Sequence, residues 1–134
     1  MAQIELDEEW EKYDQEEQKR LEEMYPVIEV PMVKAQMTSW DLRDVGKLGA
    51  CVVVDFTIIE DPVYTGKTLQ KPLPLGGRMK FLTKVFMDSL NLPRKGKSID
   101  PEPWMGKTVM LHLSVQAGES GRKLTRIDAV TPIN

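Results

Sequence analysis

The chain has one cysteine, Cys51, and one histidine, His112, in 134 residues. A zinc cage of Cys and His ligands is thereby excluded, as is any disulfide within the chain. Cys51 stands in the apolar run Ala50-Cys51-Val52-Val53-Val54 and reads as a small buried hydrophobe, not a nucleophile. No stretch approaches the roughly 18 apolar residues of a membrane span, and the start, Met1 to Leu6, has neither the basic nor the apolar region of a secretory signal. The expectation is a soluble, cytoplasmic protein with no membrane partner. Aromatic residues are scarce, with three Trp, three Tyr and three Phe, which limits how many rings a binding surface can spare from the core.

The signals that catalysis needs are missing too. Two Gly-Lys-Thr triplets, at Gly66 and Gly106, superficially resemble the end of a phosphate-binding loop. Asp61 and Pro101 stand where that loop requires its earlier glycine, and both triplets run toward strands. They read as turn glycines followed by strand starts. His112 alternates against Leu111 and Leu113, as a half-exposed strand residue and not a general base. Asp55, Glu60 and Asp61 are the one local group of acids in the body, with no spacing that converges on a cation. No catalytic residue, metal or cofactor is expected, and the protein is read as non-enzymatic.

What is present is a strong charge asymmetry. The first 24 residues carry ten acidic and three basic side chains, a net −7; the rest carry eleven acidic and fifteen basic, a net +4. The overall −3 therefore conceals a basic body that can accept a polyanion, preceded by an acidic segment. Residues 1–25 read as an acidic N-terminal helix or arm, rich in helix formers, with Leu6, Trp10 and Tyr13 partly on one face and available to a protein partner. Residues 26–134 read as one domain.

Within that domain the pattern turns to strands. Val27 to Val30 with Met32 to Met37 give a first strand, Pro31 suggesting an edge or bulge. Trp40 to Lys47 reads as a polar connection. Leu48 to Ile59 is the strongest strand, apolar on both faces at its centre, and Lys67 to Leu73 a shorter one. Arg78 to Leu90 predicts a helix whose core-facing stripe is Met79, Leu82, Val85, Phe86 and Leu90, stopped by Asn91-Leu92-Pro93. Lys107 to Gln116 and Arg122 to Val130 form a closing hairpin. Five strands with a helix between the third and fourth predict a mainly β fold: a five-stranded Greek-key barrel of the OB type.

In such a barrel the usual strand-binding face comprises strands two and three with the loops joining strands one to two and four to five. Those places hold Trp40, Arg43 and Lys47, then Tyr64, Lys67 and Lys71, then Arg122, Lys123 and Arg126. Cations that follow phosphates and rings that receive bases are the two physical means of holding single-stranded nucleic acid.

The residues Glu60, Tyr64, Gly66 and Lys67, then Leu90 to Pro93, Gly106 and Lys107, and finally Gly121, Arg126, Ile127 and Pro132 form a spaced pattern. From Val27 to Pro132 it resembles a family of small bacteriophage proteins encoded near recombination and replication functions. The resemblance implies an OB-like fold and binding of single-stranded DNA in a phage-infected or prophage-carrying host. Val30-Pro31-Met32-Val33-Lys34 departs from that family's Pro-x-Gly-x-Tyr opening, lacking the Gly and the Tyr. The functional expectation is a protein that coats or protects unwound DNA, able to form a homo-oligomer. Its rival is an assembly factor or inhibitor that docks a protein partner through the acidic helix.

Overall fold

The computed structural model describes Glu16 and residues 26–93, 98–117 and 123–133. Apart from Glu16, the expected acidic helix lies outside the described residues, with its Leu6, Trp10 and Tyr13, as does Arg122. Five antiparallel strands form one sheet: β1 (Met32–Asp44), β2 (Ala50–Ile58), β3 (Thr68–Pro74), β4 (Thr108–Ala117) and β5 (Lys123–Pro132). Helix α1 (Lys80–Ser89) lies between β3 and β4. The mainly β expectation, with its helix in that place, is met.

Barrel closure is not. The spatial order is β3-β2-β1-β4-β5, and among the described residues the edge strands β3 and β5 share no ladder. Two features oppose closure. Pro72 and Pro74 leave β3 two backbone positions without a donor. The incoming segment also lies along the opening: the Ile28 N–H donates to the Thr125 hydroxyl on β5 at 2.7 Å, and the Glu29 N–H to the Tyr64 hydroxyl at 3.3 Å. Ile28 is fully buried there, and the Pro31 carbonyl accepts from the Leu113 N–H at 2.8 Å. Val27 to Val30, expected as the start of the first strand, is therefore a lead-in with no ladder of its own.

β1 is longer than its composition suggests. Trp40 to Asp44 continues it, with Trp40 opposite Val54, Leu42 opposite Val52 and Asp44 opposite Ala50, so the expected polar connection is strand. Cross-strand partners override the turn formers, because strand preference mostly reflects what lies alongside. The connection shrinks to a short 3-10 turn, Gly46–Leu48, with Gly46 and Gly49 at positive φ. β2, flanked by β1 and β3, buries Cys51, Val52, Val53 and Val54 in succession, as expected of an inner strand.

The two Gly-Lys-Thr triplets fold alike. The Gly66 N–H donates to the Ile58 carbonyl and the Ile58 N–H to the Lys67 carbonyl, both at 2.9 Å. Gly106 and Lys107 hold Met37 in the same way, at 2.7 and 2.9 Å. In each, two residues oppose one, and the glycine takes the positive φ (92° and 90°) that such a bulge demands. The triplets thus start β3 and β4, as their sequence context implies.

α1 packs on the core with Thr83, Phe86 and Met87 buried and Leu90 half-buried. Phe86 meets Phe56 edge-on at 6.3 Å and tilts against Trp104 at 5.9 Å. Of the predicted stripe, only Phe86 and Leu90 face inward; Met79, Leu82 and Val85 are exposed. The observed spacing is equally helical, and its one polar member decides the rotation: the buried Thr83 hydroxyl donates to the Pro74 carbonyl at the end of β3. Asn91 ends the helix at φ 54°, its N–H reaching Asp88 and that of Leu92 reaching Met87. This is a Schellman closure, with Leu92 and Met87 buried together.

Candidate nucleic-acid interface

A cleft of about 280 Å³ opens between the two unpaired edges. Arg43 and Val45 at the end of β1 form one wall; Thr68, Leu69, Gln70 and Pro72 of β3 and Leu124, Thr125 and Ile127 of β5 form the others, with Val53 and Pro26. β3 and β5 stand on opposite sides of the cleft with no ladder between them among the described residues, and the end of β1 reaches it as well.

Of the sequence-predicted residues, Arg43 lines the cleft directly. Lys71 and Arg126 alternate with lining residues of β3 and β5; Lys123 precedes Leu124, Lys67 precedes Thr68, and Lys47 follows Val45 by two positions. Lys47 and Lys67 sit at opposite ends of the nine-residue β2, about 30 Å apart at the usual strand rise. Lys47 and Lys67 thus stand well apart, whereas Lys71 and Arg126 are close enough for their charges to interact.

Several of these cations are paired. Arg43 Nε lies 3.1 Å from an Asp41 carboxylate oxygen, Lys123 Nζ 3.5 Å from Glu29, and Arg126 Nε 3.7 Å from Asp128. All six side chains are well exposed, so each pair holds by only about 0–1 kcal/mol and yields readily to a phosphate. Lys71 is different. It stands between Leu69 and Leu73, pairs opposite Val54, and its pKa is lowered first by burial and then by the Arg126 charge, with Asp128 opposing. A group held in that state gains most from an arriving anion.

The two predicted aromatic platforms are otherwise engaged. Trp40 packs against the core and its indole N–H donates to Glu102 at 2.7 Å; Tyr64 packs against the core and accepts from the Glu29 N–H. Sequence reasoning did not single out Thr68, Gln70, Leu124 or Thr125. The alternation through β3 carries a signal for the first two; the β5 residues enter only because the fold brings them to the same cleft as β3.

Asp55 lies beside this face, with one oxygen taken by the Ser39 hydroxyl and the other by the Gln70 amide at 2.9 Å. The buried Cys51 thiol donates to the Gly49 carbonyl, and burial, helped by Asp44, pushes its pKa up. His112 Nε2 lies 2.9 Å from the Thr131 hydroxyl on the adjacent strand. Among the described residues, no group of three or more His, Cys, Asp or Glu is placed to hold a metal ion, and no helix is long and apolar enough to cross a membrane. No protein-family model matches the chain, and no curated protein matches it.

Proposed function

We propose that the protein is a non-enzymatic single-stranded DNA-binding protein of phage type, with an OB-like domain that coats or protects unwound DNA. The observation that carries this reading is the cleft between β3 and β5, with Arg43 in its wall and Lys71 and Arg126 beside it. The strand order supports it: an OB barrel unrolled between its third and fifth strands runs β3-β2-β1-β4-β5, with a helix after the third. The backbone of a single strand would follow Lys47, Arg43, Lys71, Arg126 and Lys67. Its bases would lie on Pro72, Leu124 and the guanidinium plane of Arg43, with Trp40 and Tyr64 holding the frame.

The test is titration of a fluorescent oligonucleotide at about 50 and 200 mM salt, where released counterions weaken a multi-phosphate contact strongly. The triple variant Arg43→Gln, Lys71→Met, Arg126→Gln should lose most of the affinity. Absence of binding by the wild-type protein at the lower salt ends the proposal. The rival reading, a docking protein that works through its acidic segment, is separated by deleting residues 1–24. DNA affinity should then hold or rise, whereas a partner complex built on the segment would be lost.

A further inference from the structure

α1 is apolar on both sides. Phe86 and Met87 enter the core, while Phe81 and Val85, one turn apart, are 53% and 58% exposed, and Leu82 beside them is 37% exposed. Contiguous exposed apolar side chains on a structured helix mark a surface that another element covers. Arg78, Lys80 and Lys84 frame the patch; among the described residues no ion pair engages them, and Asp88 is the one acid on the helix. The occupant must therefore be apolar along one face and acidic around it.

We propose that the outward face of α1 is the docking surface for the acidic leader of the same molecule, residues 1–25. Leu6, Trp10 and Tyr13 are spaced i, i+4 and i+7, so a helical leader presents them on one side, where they meet Phe81, Leu82 and Val85. The ten acids of the first 24 residues surround them and meet Arg78, Lys80 and Lys84. A second copy of α1 fits worse, since those three cations would oppose their own kind. The tether also suits the pairing. Pro26, where the leader joins the domain, lines the cleft between β3 and β5, and α1 packs on those same two strands. Tethering gives the leader a high effective concentration at the patch, so a modest intrinsic affinity suffices.

Hydrogen exchange of the intact chain, read by mass spectrometry, tests this. Amides of residues 4–24 should exchange at least about tenfold more slowly than in the isolated leader peptide. That protection should vanish in Phe81→Glu/Val85→Glu and weaken in Lys80→Glu/Lys84→Glu, with β1 and β2 amides unchanged. Should the α1 variants unfold, Leu6→Asp/Trp10→Asp removes the same contact from the other side and leaves the α1 sequence unaltered. Protection should not depend on protein concentration. Unprotected leader amides, protection indifferent to these variants, or protection lost on dilution, as exchange between copies would give, each overturns the proposal. So does binding of the chain to anionic phospholipid vesicles that is abolished by Phe81→Glu/Val85→Glu while the leader stays unprotected, which would assign the patch to a lipid surface.

Discussion

The indole N–H of Trp40 on β1 donates to the carboxylate of Glu102, in the turn before β4, at 2.7 Å. That bond ties the middle of the longest strand to the connection following α1, and it places the ring against the core. Trp40→Ala should therefore act on stability, at about 2–4 kcal/mol for a half-buried aromatic. Glu102→Gln should lose about 1 kcal/mol or less, because a neutral acceptor remains. Urea denaturation measures both, and Glu102→Gln should leave oligonucleotide affinity unchanged.

The joint between β3 and α1 depends on one hydroxyl. Thr83→Val keeps the shape but leaves the buried Pro74 carbonyl without its donor, at a cost of about 1–3 kcal/mol. Thr83→Ser keeps the bond and should cost less. A greater loss in Thr83→Ser than in Thr83→Val, measured by thermal unfolding, would show that the methyl and not the hydrogen bond holds the helix.

Lys71 predicts a pH dependence with a definite sign. Its folded pKa lies below that of a free lysine, so between the two values the unfolded chain holds more protons than the folded one. Stability from this group therefore rises with pH across that window, and the charged form disfavours folding at neutral pH. Lys71→Met should stabilise the protein at pH 7, with the advantage shrinking as pH approaches the ordinary lysine pKa. Denaturant midpoints at several pH values check this. The same lysine should take up a proton when DNA binds at a pH between its folded and its ordinary pKa, detectable by calorimetry in buffers of different ionisation enthalpy.

Lys47 and Lys67 occupy the two ends of the proposed track, with no ion pair among the described residues. Replacing either with Ala should reduce the slope of log affinity against log salt by about 0.7, the value for one phosphate contact on a single strand. Replacing both should reduce it by about twice that, since the sites are far apart. An unchanged slope would remove that lysine from the path.

Asn91 closes α1 in the left-handed region, which favours Gly and Asn. Asn91→Gly should be neutral or mildly stabilising. Asn91→Val should cost about 1–2 kcal/mol from backbone strain. Thermal unfolding separates them.

Much of this protein is local, and its sequence determines those parts. The valine-rich centre of β2 requires cover on both faces wherever it lies. The glycines at 66 and 106 force turns, and Asn91-Leu92-Pro93 ends a helix whatever surrounds it. Net charge also divides the chain without reference to any contact. Tertiary structure decided what depends on partners far along the chain. Trp40 to Asp44 became strand because β2 lay alongside, and α1 turned Leu82 and Val85 outward because Thr83 could reach Pro74. The sheet stayed open because residues 26–31 and two prolines stood where β3 and β5 would have met, and with that opening came the cleft. Short-range preferences are set by a few dihedrals and neighbours, whereas these outcomes turn on hydrogen bonds between residues that only the folded chain brings together.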